Sequence, residues 1–164
     1  MKTVWILRHA KSDWADDSLA DFDRPLNKRG KADAPRLGRW IAARGAIPER
    51  IAASPARRAR STAELVAKAC GYPPGNIEWR EEFYPGDPSA GLRYLRSLPE
   101  ATTHVLLVGH NPWVESLAAL LTGGTAVRLP TAGLAMLQAG VDGWAALGPG
   151  DAELTGLIHP KMLP

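Results

Sequence analysis

A continuous apolar run, Val4-Trp5-Ile6-Leu7, stops abruptly at Arg8-His9, only a few residues into the chain. A run without polar alternation reads as a strand covered on both faces. Arg8 and His9 then fall at its carboxyl end, where ligands bind in open α/β sheets. The same pattern returns at Val105-Leu106-Leu107-Val108-Gly109-His110. Two strands that each deliver a histidine to the same sheet edge point to one site.

The segments between and after these strands support a layered fold. After His9, the stretch through Ser12 and Trp14 and the acidic residues from Asp16 to Asp23 reads as a long surface loop. Asn27 is placed to cap a helix reaching about Gly45, with Leu37, Trp40 and Ile41 as its apolar stripe. Pro35 inside that span predicts a kink or a later start. Arg50–Ala53 reads as a second strand and Ile77–Arg80 as a third, at the sheet margin. Three pairs, Ser54-Pro55, Asp87-Pro88 and Asn111-Pro112, place a capping residue before proline, the signature of a helix start. The helices they open end near Gly71, Pro99 and Gly123-Gly124. In the tail, Leu134–Gln138 and Trp144–Leu147 flank Asp142-Gly143 and predict a hairpin, with Leu154–Ile158 as a further strand. The expected architecture is one α/β domain over residues 1–164, a three-layer α/β/α sandwich on a mixed, mostly parallel sheet.

Composition narrows the function classes. Apolar residues make up 45% of the chain, enough for a real core. The net charge of +3, with a pI near 9.2, suits an anionic substrate. Arg57-Arg58-Ala59-Arg60 comes with no aromatic platform or helix-turn-helix pattern, which argues against nucleic acid. No apolar run approaches the roughly 18 residues that span a membrane, and Arg8 interrupts the only candidate for a signal peptide. The lone Cys70 excludes an internal disulfide and implies a reducing, cytoplasmic setting. His104, His110 and His159 lack ligand-like spacing, so no metal or other cofactor is expected.

The candidate chemistry gathers at the strand ends. Arg58 lies four residues before Thr62 and shares its inward helix face, whereas Arg57 lies with Ser61, Glu64 and Lys68 on the wet face. An inward arginine needs an anionic partner. No carboxylate in the sequence obviously supplies one, and a bound phosphate would. Arg8, His9, Arg58 and His110, with the helix start after His110, would clamp a phosphoryl group. A neutral histidine with its second ring nitrogen tied up is a competent nucleophile for phosphoryl transfer. Glu82 is the best carboxylate for protonating a leaving group, with Glu81 and Asp87 as rivals. Ser12 and Asn111 are the remaining candidates to touch a phosphate.

Leu7-Arg8-His9-Ala10 resembles the Arg-His-Gly signature of the histidine phosphatase superfamily, the phosphoglycerate mutase-like fold. Asp23-Arg24-Pro25-Leu26-Asn27 with Gly30, Ser54-Pro55 with Arg58-Ala59 and Thr62, and Gly109-His110-Asn111-Pro112 resemble its SixA-like phosphohistidine phosphatases. The resemblance implies His9 as nucleophile and Arg8, Arg58 and His110 as phosphate ligands. It implies Glu82, with Gly86 four residues on, as the acid of many relatives. The chain has no room for the large helical cap of bigger relatives. An open pocket of that kind suits phosphohistidine on a protein partner. Two other readings compete with it: a phosphatase or mutase of a small phosphate ester, and a phosphate-binding regulatory module with weak turnover. The sequence does not set the oligomeric state.

Overall fold

The computed structural model describes residues 1–164. Its elements are β1 (Lys2–Arg8), α1 (Lys28–Ala43), β2 (Arg50–Ala53), α2 (Arg57–Cys70), β3 (Glu78–Trp79), α3 (Pro88–Arg96), β4 (His104–Gly109), α4 (Trp113–Thr122), β5 (Leu134–Ala139) and β6 (Ala152–Ile158). One six-stranded sheet has the order β3-β2-β4-β1-β5-β6. The first four strands along it run parallel, and β5 pairs antiparallel with both β1 and β6. The sheet is therefore mixed and mostly parallel. No helix is long and apolar enough to cross a membrane.

Burial on both faces explains the unbroken apolar run in β1. Val4 and Ile6 join one core layer with α3, α4 and Trp144, while Trp5 and Leu7 join the other with α1 and α2. All four side chains are at most 7% exposed. These layers make the α/β/α sandwich, and all four α-helices belong to them.

Several local expectations need correction. Helix α1 starts at Lys28, where Asn27 Oδ1 accepts the Gly30 N–H at 2.9 Å, and it continues through Pro35 rather than starting after it. Of the three residue-proline pairs, only Asp87-Pro88 works as a cap, with Asp87 accepting from the Ala90 N–H. Helix α2 begins at Arg57, beyond Ser54, and α4 at Trp113 without a side-chain cap from Asn111. The predicted strand at 144–147 is a 3-10 turn, Trp144–Ala146. Trp144 is wholly buried and its indole N–H donates to the Thr102 carbonyl at 2.7 Å, so the chain turns into the core there. The strand that pairs with β5 is β6 instead.

One glycine controls how the segment after His9 is held. A Cβ on Gly30 would sit almost on the Lys11 carbonyl oxygen. Lys11 is also tied here through its carbonyl, which accepts the Asn27 N–H at 2.9 Å. Gly30→Ala should push this segment off α1 and cost about 1–3 kcal/mol, typical of overpacking against backbone that cannot yield. A thermal unfolding midpoint unchanged by the substitution would refute the close approach.

Candidate active site

The register of the two central strands brings the histidines together. Arg8 is opposite Gly109 in the parallel pair β1–β4, and the His9 N–H donates to the Gly109 carbonyl at 2.9 Å. The next residue on β4's side is His110. The two imidazole centroids are 5.2 Å apart, tilted by 53°. Both residues are 6% exposed.

Each ring is fixed by one hydrogen bond. His9 Nδ1 lies 2.7 Å from the Ala10 carbonyl, and a carbonyl can only accept. That bond assigns the ring proton to Nδ1 and leaves the lone pair on Nε2. His110 Nε2 lies 2.7 Å from Ser54 Oγ. Ser54 can donate its hydroxyl there, leaving the His110 proton on Nδ1, which is buried with no partner. Ser54 thus braces His110, and its Oγ also accepts the Ala56 N–H at 3.2 Å without capping α2. Thr62 ties the segment after His9 to α2. It accepts the Ala10 N–H at 2.9 Å and donates to the Arg58 carbonyl at 2.7 Å.

The guanidiniums surround this pair. Arg8 Nη1 donates to the Leu129 carbonyl at 3.0 Å, and its Nε is buried without a partner. Arg58 is 5% exposed, and its Nε is likewise unpartnered. The expectation that no carboxylate serves Arg58 is overturned. Arg58 Nη1 donates to the Asp21 carbonyl at 2.6 Å and Nη2 to Asp21 Oδ2 at 3.0 Å. Tyr84 donates its hydroxyl to the same Oδ2 at 2.6 Å. Arg24, 7% exposed, donates from Nε to Asp21 Oδ1 and from Nη1 to Ser12 Oγ. Its guanidinium lies 3.4 Å from the centroid of the exposed Trp14 ring.

Sequence reasoning did not place Asp21, Arg24 and Tyr84 in the site. In the sequence Arg24 stands out only as part of a motif. Asp21 is one of several loop acids, and nothing in sequence spacing marks its partner 37 positions away.

Two expected site residues are placed differently. Glu82 pairs with Arg80, Nε to Oε1 at 2.7 Å, and makes no hydrogen bond to Arg8, His9, Arg58 or His110. Burial is the largest single influence and raises its carboxyl, but its own backbone N–H, Arg80 and Arg93 together outweigh it and hold the group below its ordinary value. An ionised, paired carboxylate is a poor proton donor. Asn111 spends both amide N–H groups on Glu115 Oε2 and the Leu129 carbonyl, at 2.7 and 3.2 Å, leaving no donor for a phosphate. Ser12 is 5% exposed beside Arg24, and its hydroxyl proton remains free to donate.

The electrostatics favour neutral imidazoles. His9 is lowered to about 4, chiefly by burial and further by Arg58, Arg8 and Arg24, against the Ala10 carbonyl. His110 is lowered to about 3 by burial, then by His9 and Arg58. No group of three His, Cys, Asp or Glu side chains gathers that could hold a metal ion. A site lined by guanidiniums and the His110 Nδ1–H attracts an anion and repels a cation.

The comparisons with known proteins agree with this geometry. Residues 4–87 match the family model of the histidine phosphatase superfamily, branch 1. The chain belongs to the histidine phosphatase superfamily. The structure of a protein histidine phosphatase SixA complexed with tungstate superposes on this histidine phosphatase with a TM-score of 0.85, at 26% identity over 98% of both chains. An Agrobacterium tumefaciens protein designated a phosphohistidine phosphatase SixA has a TM-score of 0.79 and 29% identity, covering 97% of this chain and 98% of its own. An uncharacterised chloroplastic protein of Arabidopsis thaliana is 35% identical over 94% of this chain and 76% of its own length. The fold is thus the phosphoglycerate mutase-like α/β fold of SixA, and family and fold together make the chain a phosphatase.

Burial of neutral histidines has a thermodynamic signature. His9 and His104 are each lowered to about 4 and His110 to about 3, all by desolvation first. The unfolded chain takes up these protons near 6.5, and the folded chain refuses them until much lower pH. Stability that is full above about pH 6.5 should therefore fall as the pH drops towards 4. Denaturant midpoints from pH 7.5 to 4.5 check this, with uptake of up to three protons per unfolding event. A flat profile would contradict neutral burial.

Proposed function

We propose that this phosphatase hydrolyses phosphohistidine on a protein through a covalent phosphohistidine formed on His9. One observation carries the reading. Three buried nitrogens lack partners, Arg8 Nε, Arg58 Nε and His110 Nδ1, the last a donor when Ser54 donates to Nε2, and the His9 Nε2 lone pair is free because Nδ1 is spent on Ala10. Leaving buried donors unsatisfied costs about 1–3 kcal/mol each, more for charged groups. A phosphoryl group supplies the acceptors all three lack, and the buried Ser12 hydroxyl adds a fourth donor.

The chemistry follows from those positions. The Nε2 lone pair attacks phosphorus in line, and the bond from phosphorus to the substrate imidazole breaks. The departing imidazole takes its proton from water, so Glu82 need not serve as acid. Phosphorylation makes the His9 ring cationic, and the Ala10 carbonyl already holds the Nδ1–H that carries this charge. Arg8, Arg58 and His110 stabilise the equatorial oxygens. Water then attacks the phosphoenzyme, releasing inorganic phosphate and neutral His9. No step needs a metal ion.

A phosphoprotein substrate is favoured because all four α-helices pack on the sheet faces and none is left to form a cap domain. Small esters usually need enclosure to gain enough contact. The likeness to proteins designated SixA supports the same choice. A reducing, cytoplasmic compartment fits the buried, unpaired Cys70.

The test is phosphate release from a phosphohistidine protein, compared by kcat/KM with a panel of small phosphate esters. We expect the protein substrate to win, chelators to change nothing, and His9→Ala to lose roughly four orders of magnitude or more. A radiolabelled phosphoenzyme should form on wild type and be absent from His9→Ala. Full turnover by His9→Ala, or a clear preference for a small ester, would sink the proposal.

A further inference from the structure

Asp21 has no part in the mechanism so far, yet it meets more of the site than any other carboxylate. Its backbone carbonyl and Oδ2 accept from the two terminal nitrogens of Arg58, its Oδ2 accepts from Tyr84, and its Oδ1 accepts from Arg24. We infer that Asp21, anchored by Tyr84, is a positioning residue that fixes which edge of Arg58 is offered to the phosphate.

A guanidinium is a rigid planar fork with two usable edges. Asp21 occupies the edge between Nη1 and Nη2. The edge that remains includes Nε, which is buried and unpartnered. Holding one edge therefore presents the other. Arg8 is secured differently, by a single carbonyl, so only Arg58 is aimed by a charged partner.

Tyr84 gives the carboxylate its fixed place. Its hydroxyl bond is the largest influence holding the Asp21 carboxyl near 2, ahead of Arg58 and Arg24, so the charge persists at any working pH. The Tyr84 ring also stands 5.1 Å from that of His110, in edge contact. One phenol thus touches the partner of Arg58 and the wall of His110. Asp21 further separates two arginines that are each more than nine-tenths buried and otherwise share no counter-ion. Without it Arg24 and Arg58 would repel, and Arg58 would lose its fixed orientation.

This inference rests on transfer of phosphate to His9, whichever substrate brings it. The test therefore uses an aryl phosphate as well as a phosphohistidine protein. Steady-state kinetics on Asp21→Ala, Asp21→Asn, Tyr84→Phe, Arg58→Ala and the double variant Asp21→Ala/Arg58→Ala form the set. Asp21→Ala should lower kcat roughly 10- to 100-fold with little change in KM, because a misaimed arginine fails mainly in the transition state. Asp21→Asn keeps one acceptor and should lose less, and Tyr84→Phe should lose about threefold. In the Arg58→Ala background, Asp21→Ala should cost nothing further. Unfolding midpoints separate these effects from loss of fold, with Asp21→Asn as the better-folded probe if Asp21→Ala is unstable.

Independent, multiplying losses in the double variant would overturn the inference. So would faster turnover in Asp21→Ala, which would make Asp21 a competitor of phosphate at Arg58. A wild type active on the aryl phosphate but inert on phosphohistidine defeats the substrate proposal and leaves this inference to its own cycle. A wild type inert on both defeats both.

Discussion

The parallel pairing of β1 with β4 is the constraint on which the site depends. Setting Arg8 opposite Gly109 makes His9 and His110 neighbours, although they are a hundred positions apart in the chain. That register is enforced from both sides. Val4 and Ile6 must enter one core layer and Trp5 and Leu7 the other, so a slip by one residue would exchange the two sets. Catalytic geometry here is a by-product of packing that would be needed in any case.

The same burial decides the state of the imidazoles. Desolvation outweighs every other influence on His9 and His110, and the surrounding guanidiniums act in the same direction. A histidine exposed among three arginines would feel those charges only weakly, screened by water. Here the low-dielectric surroundings and the cations together keep His9 neutral while the hollow stays positive. Attraction for an anion and a free lone pair are normally in conflict in one pocket, and burial reconciles them.

Much of this was legible from residue order alone. The strand ends named Arg8, His9 and His110, and helical periodicity selected Arg58 over Arg57, which the structure finds buried and exposed respectively. What sequence reasoning missed has physical causes. Ser54 and Asn111 carry the side chains of helix caps, but Ser54 is turned to His110, 56 positions away, and Asn111 is held through its amide N–H groups by Glu115 and the Leu129 carbonyl, with its Oδ1 unpartnered. Asp87 caps as local rules require. Asp21 and Tyr84 join the site through a 3-10 turn and a loop, where no periodicity exists to be read. Trp144 broke the expected hairpin because burying a whole indole, with its N–H satisfied, overrode a local turn signal. At Ser54 and Trp144 the local rule yielded to a partner far along the chain.

The bond from His9 Nδ1 to the Ala10 carbonyl has a consequence for regiochemistry. With that nitrogen committed to the backbone, an electrophile can add to the ring at one place only. Any adduct captured on the protein would be a single positional isomer, and its phosphoramidate linkage would survive alkali and break in acid. The main chain next to His9, rather than the shape of the incoming molecule, makes that selection.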